Sequence, residues 1–210
     1  MELIIVRHGQ TVANTNNWYY GFTDSPVTEK GRRQAKAAGI LIDRLKFSPD
    51  VIYISERTRT HETLEHMGFD PKEAIVDARL NEQHMGAFEC MTYQEIQSNY
   101  PTAFDEWNDD FDHFKPQGGE SHMELNLRVR SFLDELVDQE KDNDRKILAI
   151  AHGGVMHSAY AYINRNRMDT YYSIYFDNAA MLRTKYLNDR LVMDALYNPG
   201  ELLSAFDFKK

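Results

Sequence analysis

Residues 3–14 read LIIVRHGQTVAN, and this stretch decides the fold. Leu3 to Val6 is a short, continuous, β-branched run, the pattern of a strand buried on both faces. It ends abruptly in Arg7, His8 and Gly9, with Gln10 and Asn14 close behind. A buried strand has no use for those polar groups, whereas a ligand site at its carboxyl end does.

The same theme returns downstream. DVIYIS (Asp50 to Ser55) reads as a second strand, followed by polar residues as far as Arg59. KILAIAHGG (Lys146 to Gly154) is a third, ending in His152, Gly153 and Gly154. Between them lie segments of helical period. One is capped by Thr28 and carries Ala35, Ala38, Ile42 and Leu45. TRTHETLEHMGF stops at Gly68, and a third helix sets Leu125, Val129, Phe132, Leu133 and Leu136 on one face. TYQEIQSNY is expected to break at Pro101, and the last strands to turn as a hairpin at Asn188-Asp189. Strand alternating with helix implies a mostly parallel sheet covered on both faces, a three-layer α/β/α sandwich. Such sheets bind ligands beyond the carboxyl ends of their strands, so two histidines and two arginines are expected at one edge.

The 210 residues suit a single domain, 1–210, with an irregular lid insertion over about 83–120. With 24 Lys plus Arg against 33 Asp plus Glu, the net charge is −9, which argues against a nucleic-acid or anionic-membrane surface. One cysteine, Cys90, leaves no disulfide framework and no cysteine metal cluster. His61 and His66 lie five apart, about 140° around a helix, which denies them a shared zinc. That helix surface is expected to be solvated. The chain opens on no signal-peptide pattern and has no apolar run near ~20 residues, so a cytoplasmic protein is expected.

Two guanidiniums in one pocket suit a doubly charged oxyanion, since their planar forks match phosphate oxygens. Gly9, Gly153 and Gly154 are expected to let backbone N–H groups approach that anion. A neutral imidazole attacks phosphorus and splits one hard displacement into two easier ones. A carboxyl group must then protonate the leaving alcohol and later activate water.

At this point VRHGQTVAN, GFTDSPVTEKGRRQA, SERTRTHET, RLNEQHMGAFECMTYQEI, PQGGES and AHGGV together resemble the histidine phosphatase superfamily, with its phosphoglycerate mutase-like fold. The resemblance implies His8 as phosphorylated nucleophile, and Arg7, Arg59 and His152 around the phosphate. It implies Glu82 as acid and base, Gln10 and Asn14 at the rim, and the Gly153 N–H as a further phosphate contact. Arg57 falls where the family has an apolar residue and is assigned no role. No metal and no cofactor are implied, because two arginines balance a phosphoryl dianion. Three positions depart from the family form: Gln10 for Glu, Ala151 for Ser, and Cys90 for a Gly whose backbone would strain any side chain if φ were positive.

The implied activity is metal-independent hydrolysis of a small phosphorylated metabolite. A mutase needs extra cations for a second anionic group, and Gln83 and Met85 stand where the resembling mutases carry Arg and Tyr. The segment Asp105 to Asp112 is acidic and reads either as a solvated loop or as a lid whose Phe, Trp and His select the leaving group. A phospho-ligand-binding protein with weak catalysis is the third reading. His84, His113, His122 and His157 are expected in surface or packing roles, and Tyr171, Tyr172 and Tyr175 are expected to pack. Oligomeric state is left open.

Overall fold

The computed structural model describes residues 1–198. In chain order the elements are β1 (Glu2–Arg7), α1 (Val12–Thr15), α2 (Glu29–Arg44), β2 (Val51–Ile54), α3 (Thr58–His66) and β3 (Ile75–Val76). They continue with α4 (Tyr93–Asn99), α5 (Pro101–Asp109), α6 (His122–Glu140), β4 (Lys146–Ala151), α7 (Gly153–Ile163), β5 (Met181–Leu187) and β6 (Arg190–Tyr197). The sheet order is β3-β2-β4-β1-β5-β6. The first four strands run parallel, and β5 and β6 add an antiparallel edge.

Alternation along β1 builds two cores. Leu3 and Ile5 face Val129 and Phe132 of α6 and Val155 of α7. Ile4 and Val6 face Ala35, Ala38 and Ile42 of α2 and Leu64 of α3. Helices therefore cover both faces, which gives the expected three-layer, mostly parallel sandwich. Each aliphatic side chain so buried contributes about 1.5–3 kcal/mol, which is why a continuous apolar run can occupy the centre of the sheet. The local signals act as read: Thr28 caps α2 by accepting from the Gly31 N–H. Gly68, at φ +95°, follows the end of α3. Asn188 and Asp189, both at positive φ, turn the β5–β6 hairpin.

The middle of the chain is more regular than its sequence suggests. Thr92 and Glu95 form a reciprocal cap for α4, and α5 begins afresh at Pro101. The break falls there because proline lacks an N–H and disfavours helical backbone in the residue before it. Met85, Phe88, Ile96, Phe104 and Trp107 pack into a third apolar cluster. The acidic segment is largely helix, not loop: in α5 and just beyond it Asp105, Glu106, Asp109 and Asp110 are exposed while Phe104 and Trp107 are buried.

Cys90 sits at φ 60°, the left-handed region that favours glycine, with its N–H donating to the Tyr19 carbonyl at 2.8 Å. Cys90 is thus held in a backbone conformation that costs about 1–2 kcal/mol for a residue with a Cβ. Glycine's greater freedom in the unfolded chain offsets about 0.4–1 kcal/mol of that. Cys90→Gly is therefore expected to raise Tm by roughly 1–4 °C in a thermal melt, whereas Cys90→Val should lower it.

Candidate active site

Three neighbouring parallel strands, β2, β4 and β1, end side by side, and each delivers one part of the site. β1 ends in Arg7 and leads into His8, β2 leads into Ser55, and β4 leads into His152. His8 is 2 % exposed, and Arg59 and His152 are fully buried. The two imidazole rings meet edge to face at 5.2 Å between centroids.

The hydrogen bonds fix the state of each ring. His8 Nδ1–H donates to the Gly9 carbonyl at 2.8 Å, so Nε2 carries the free lone pair. Burial, and then the charges of Arg59 and Arg7, hold this imidazole well below the usual histidine range, outweighing the Gly9 carbonyl. It is neutral at pH 7. His152 Nδ1 accepts from Arg59 Nε at 3.1 Å, and its Nε2–H donates to Ser55 Oγ at 2.8 Å. Both of its ring nitrogens are thereby committed to protein partners. This differs from a ring offered to phosphate: His152 aligns the guanidinium of Arg59. Burial, then Arg59, holds His152 well below the usual range too.

Arg59 also donates from Nη1 to the Thr23 carbonyl at 3.1 Å and from Nη2 to the Gly21 carbonyl at 2.7 Å, with its face 4.7 Å from the Tyr20 ring centroid. The N–H groups of Gly21, Phe22 and Thr23 donate in turn to the Glu89 carboxylate at 3.0–3.2 Å. Burial works to raise the Glu89 pKa, but bonds from Phe22, Thr23 and Met85 outweigh it and leave the pKa lowered. Glu89 holds the loop that holds Arg59.

Arg7 donates from Nη1 to the Phe176 carbonyl at 2.7 Å, while its buried Nε has no partner among the described residues. A Cβ on Gly153 would stand 3.5 Å from that Nε, which places Arg7 beside the start of α7. Glu82 lies across from it. Its Oε1 accepts from the Gln83 N–H at 2.9 Å and its Oε2 from the Gly154 N–H at 3.2 Å. Arg128 of α6 pins the segment that carries Glu82, donating to the carbonyls of Arg79, Asn81 and Glu82 and forking onto Glu120. Asn14 Oδ1 accepts from the Thr11 N–H at 3.0 Å and from Asn178 Nδ2 at 3.1 Å, which turns its own amide donor outward.

A cavity of about 400 Å³ opens over Arg7, Asn14, Glu82, Gly153 and Gly154. Gln10 is not on its wall. It lines an adjoining cavity with Asn14 and Asn178, and its Oε1 accepts from Thr28 Oγ1 at 3.0 Å. The rim position expected for Gln10 is thus one step removed. Arg57, assigned no role, lies over Phe22 with its Nη1 on the Phe22 carbonyl.

Two of the three glycines serve packing instead of an anion. The Gly9 N–H donates to Thr63 Oγ1 at 3.0 Å, and a Cβ there would fall 2.5 Å from the Gly31 carbonyl oxygen of α2. The Gly154 N–H belongs to Glu82, and a Cβ there would overlap the Glu82 carboxylate. Gly153 carries the first N–H of α7, which the helix itself leaves unpaired. The α3 surface is likewise no bare solvated face: His61 Nε2–H donates to the Ser55 carbonyl at 3.1 Å, and Glu62 accepts from the Val27 N–H at 2.8 Å. No group of three or more His, Cys, Asp or Glu among the described residues is placed to hold a metal ion. No helix there is long and apolar enough to cross a membrane.

Four histidines are held in the neutral form by burial. Beyond His8 and His152, burial lowers His122 to about 4 and His157 to about 4. An unfolded histidine takes up its proton near 6.5, so below that pH the unfolded chain binds more protons than the folded one. Stability is therefore present above pH 6.5 and is lost as pH falls from 6.5 toward 4. Thermal melts across that window should show Tm dropping steadily, with a plateau between pH 7 and 8.

A sheet edge of this topology, in a sandwich of this kind, is the phosphoglycerate mutase-like class. The chain matches the family model for the histidine phosphatase superfamily (branch 1) over residues 3–199, and it belongs to that superfamily. It is 33 % identical over 161 residues to a glucosyl-3-phosphoglycerate phosphatase of Mycolicibacterium vanbaalenii, covering 74 % of this chain and 70 % of that protein. It is also 33 % identical over 159 residues to a 2,3-bisphosphoglycerate-dependent phosphoglycerate mutase 2 of Gloeobacter violaceus, covering 73 % and 71 %. The crystal structure of a putative alpha-ribazole-5'-P phosphatase from Escherichia coli superimposes with a TM-score of 0.85 at 23 % identity, covering 94 % of this chain and 96 % of that one.

Proposed function

We propose that the protein is a phosphomonoesterase acting on a small phosphorylated metabolite through phospho-His8, without a metal or other cofactor. The observation that carries this reading is the neutral His8 ring, its Nδ1–H held by the Gly9 carbonyl and its Nε2 free, set between the charges of Arg7 and Arg59. Arg7 binds the phosphoryl oxygens, with the Gly153 N–H and the Asn14 amide as further donors, while Arg59, fully buried and held by His152, Thr23 and Gly21, adds its positive charge beside His8. His8 Nε2 attacks phosphorus; the N–P bond forms as the bond to the leaving oxygen breaks, and Glu82 gives that oxygen its proton. The Glu82 carboxylate then takes a proton from water as the water oxygen attacks phosphorus. The N–P bond breaks, and inorganic phosphate and neutral His8 are left. His152 acts by aligning Arg59, and Gln10 by holding the turn into α2.

The Gloeobacter relative carries a mutase name, so phosphoryl return to a second hydroxyl is the competing reaction. A bisphosphate primer needs cations for its second phosphate. Among the described residues the cavity wall has one arginine, Arg7, and no lysine. The acidic side chains 105–110 do not line it, and the missing cations favour water as acceptor. The test is release of phosphate from p-nitrophenyl phosphate in excess EDTA, alongside conversion of 3- to 2-phosphoglycerate with the bisphosphate primer. Phosphate release without that conversion is expected. Mutase turnover outpacing hydrolysis would overturn it.

A further inference from the structure

We infer that the phosphomonoester taken by this site has an uncharged aromatic leaving group bearing hydrogen-bond donors, as a nucleoside does; this rests on the phosphatase reading above. Three properties of the cavity carry it, namely its rings, its charge and the polarity of its hydrogen-bonding groups.

The wall is aromatic from several directions. Trp18 and Tyr19 reach it from the loop after α1, Trp107 and Phe111 from α5 and the turn beyond, and Tyr171 and Tyr172 from the segment before β5. These rings brace one another: Trp107 stacks on Phe111 at 5.9 Å and 15°, and Tyr171 meets Tyr172 edge to face at 4.7 Å. A braced ring keeps its free face available to a flat ligand, and stacking of one base on such a face contributes about 1–3 kcal/mol.

The wall has no charge to spare for a second anion. Arg7 is engaged by the phosphoryl group, and among the described residues no lysine lines the cavity. His122 and His157, which do line it, stay neutral at pH 7 because burial lowers both to about 4. A leaving group with a carboxylate or a second phosphate would be stripped of water opposite Glu82 with no cation to meet it, an arrangement that strongly disfavours binding.

Two uncommitted polar atoms on the wall are acceptors. His157 gives its Nδ1–H to the Tyr171 carbonyl at 2.7 Å, which leaves Nε2 as a lone pair. Gln83 gives its Nε2–H to the Glu120 carbonyl at 2.8 Å, which leaves Oε1 to accept. Acceptors call for hydroxyl or N–H donors on the ligand. A sugar phosphate offers the donors without a flat ring, and a phosphoglycerate offers an anion that nothing receives. A ribose joined to a base offers both donors and ring.

The experiment is a comparison of kcat/KM at pH 7 for adenosine 5′-monophosphate, glucose 6-phosphate, glycerol 1-phosphate and 3-phosphoglycerate. The nucleotide is expected to lead glycerol 1-phosphate by roughly 10–100-fold, chiefly through KM, from one stacked base. The carboxylate substrate should come last. Tyr172→Ala and Trp18→Ala, at side chains 57 % and 36 % exposed, do not threaten the core. Each should raise KM for the nucleotide about tenfold, with a smaller change for glycerol 1-phosphate. Preference for 3-phosphoglycerate or glucose 6-phosphate would overturn the inference, as would a nucleotide KM indifferent to both substitutions. In either case His8-dependent turnover would leave the phosphatase reading standing. Failure of all four substrates and of p-nitrophenyl phosphate would remove both.

Discussion

His8→Ala is expected to lower phosphomonoester turnover by more than about 10⁴-fold, whatever the leaving group, because it removes the atom to which phosphorus is transferred. No neighbour can replace it. His152, 5.2 Å away ring to ring, has both nitrogens committed to Arg59 and Ser55. Water attacking directly would meet the same positive charge but would still carry the proton that it must lose. The variant should keep its fold, since the β1 ladder and both flanking cores are built from other residues. Circular dichroism and a thermal melt check that point, and the rate on p-nitrophenyl phosphate supplies the result.

Glu82→Gln should separate the two half-reactions. General acid–base help contributes about 10²–10⁴-fold, and an alkyl phosphate needs it twice, once for the leaving alkoxide and once for water. Turnover of glycerol 1-phosphate should therefore fall across that range. The p-nitrophenolate ion leaves without a proton, so its expulsion should be nearly unaffected while water attack slows. A burst of p-nitrophenol followed by a slow steady rate is the expected trace in stopped flow. Equal losses on both substrates without a burst would remove Glu82 from the proton path. The substitution preserves shape, because a glutamine oxygen can still accept from the Gln83 or Gly154 N–H.

The contrast between these residues and their supports explains what could be read from the chain. Arg7, His8 and His152 each follow an apolar run, and a parallel sheet puts such strand ends on one edge whatever lies between them. Their meeting was therefore legible without coordinates. A second arginine is expected at the same edge from the segment after β2, but its choice as Arg59, and the whole assignment of Glu82, rest on resemblance. Glu89 and Arg128 were not legible as supports at all. Each works through backbone carbonyls or N–H groups of a distant loop, Glu89 on residues 21–23 and Arg128 on residues 79–82, and backbone groups leave no trace in residue identity.

The glycines show the converse limit. Glycine types suggested room for an anion, but Gly9 and Gly31 are small because β1's end and α2 touch backbone to backbone. The aromatic wall was hidden for a third reason. Tyr171 and Tyr172 reach His122 and Phe111 across some fifty residues, and His157 from the next helix, so each looked like an ordinary packing residue by itself. Acidic neighbours masked Trp107 in the same way, since charge dominates that segment's composition while its two buried rings decide which way it faces.

The central claim is that phosphorus is carried by His8. Glu82→Gln mixed with p-nitrophenyl phosphate and quenched in alkali within the burst, then digested and sequenced by mass spectrometry, tests it most directly. The expected result is close to one acid-labile phosphoryl group per chain, on the peptide spanning His8 and absent from it in His8→Ala. Steady hydrolysis with no phosphoryl group on His8, or with the group on another residue, would contradict it.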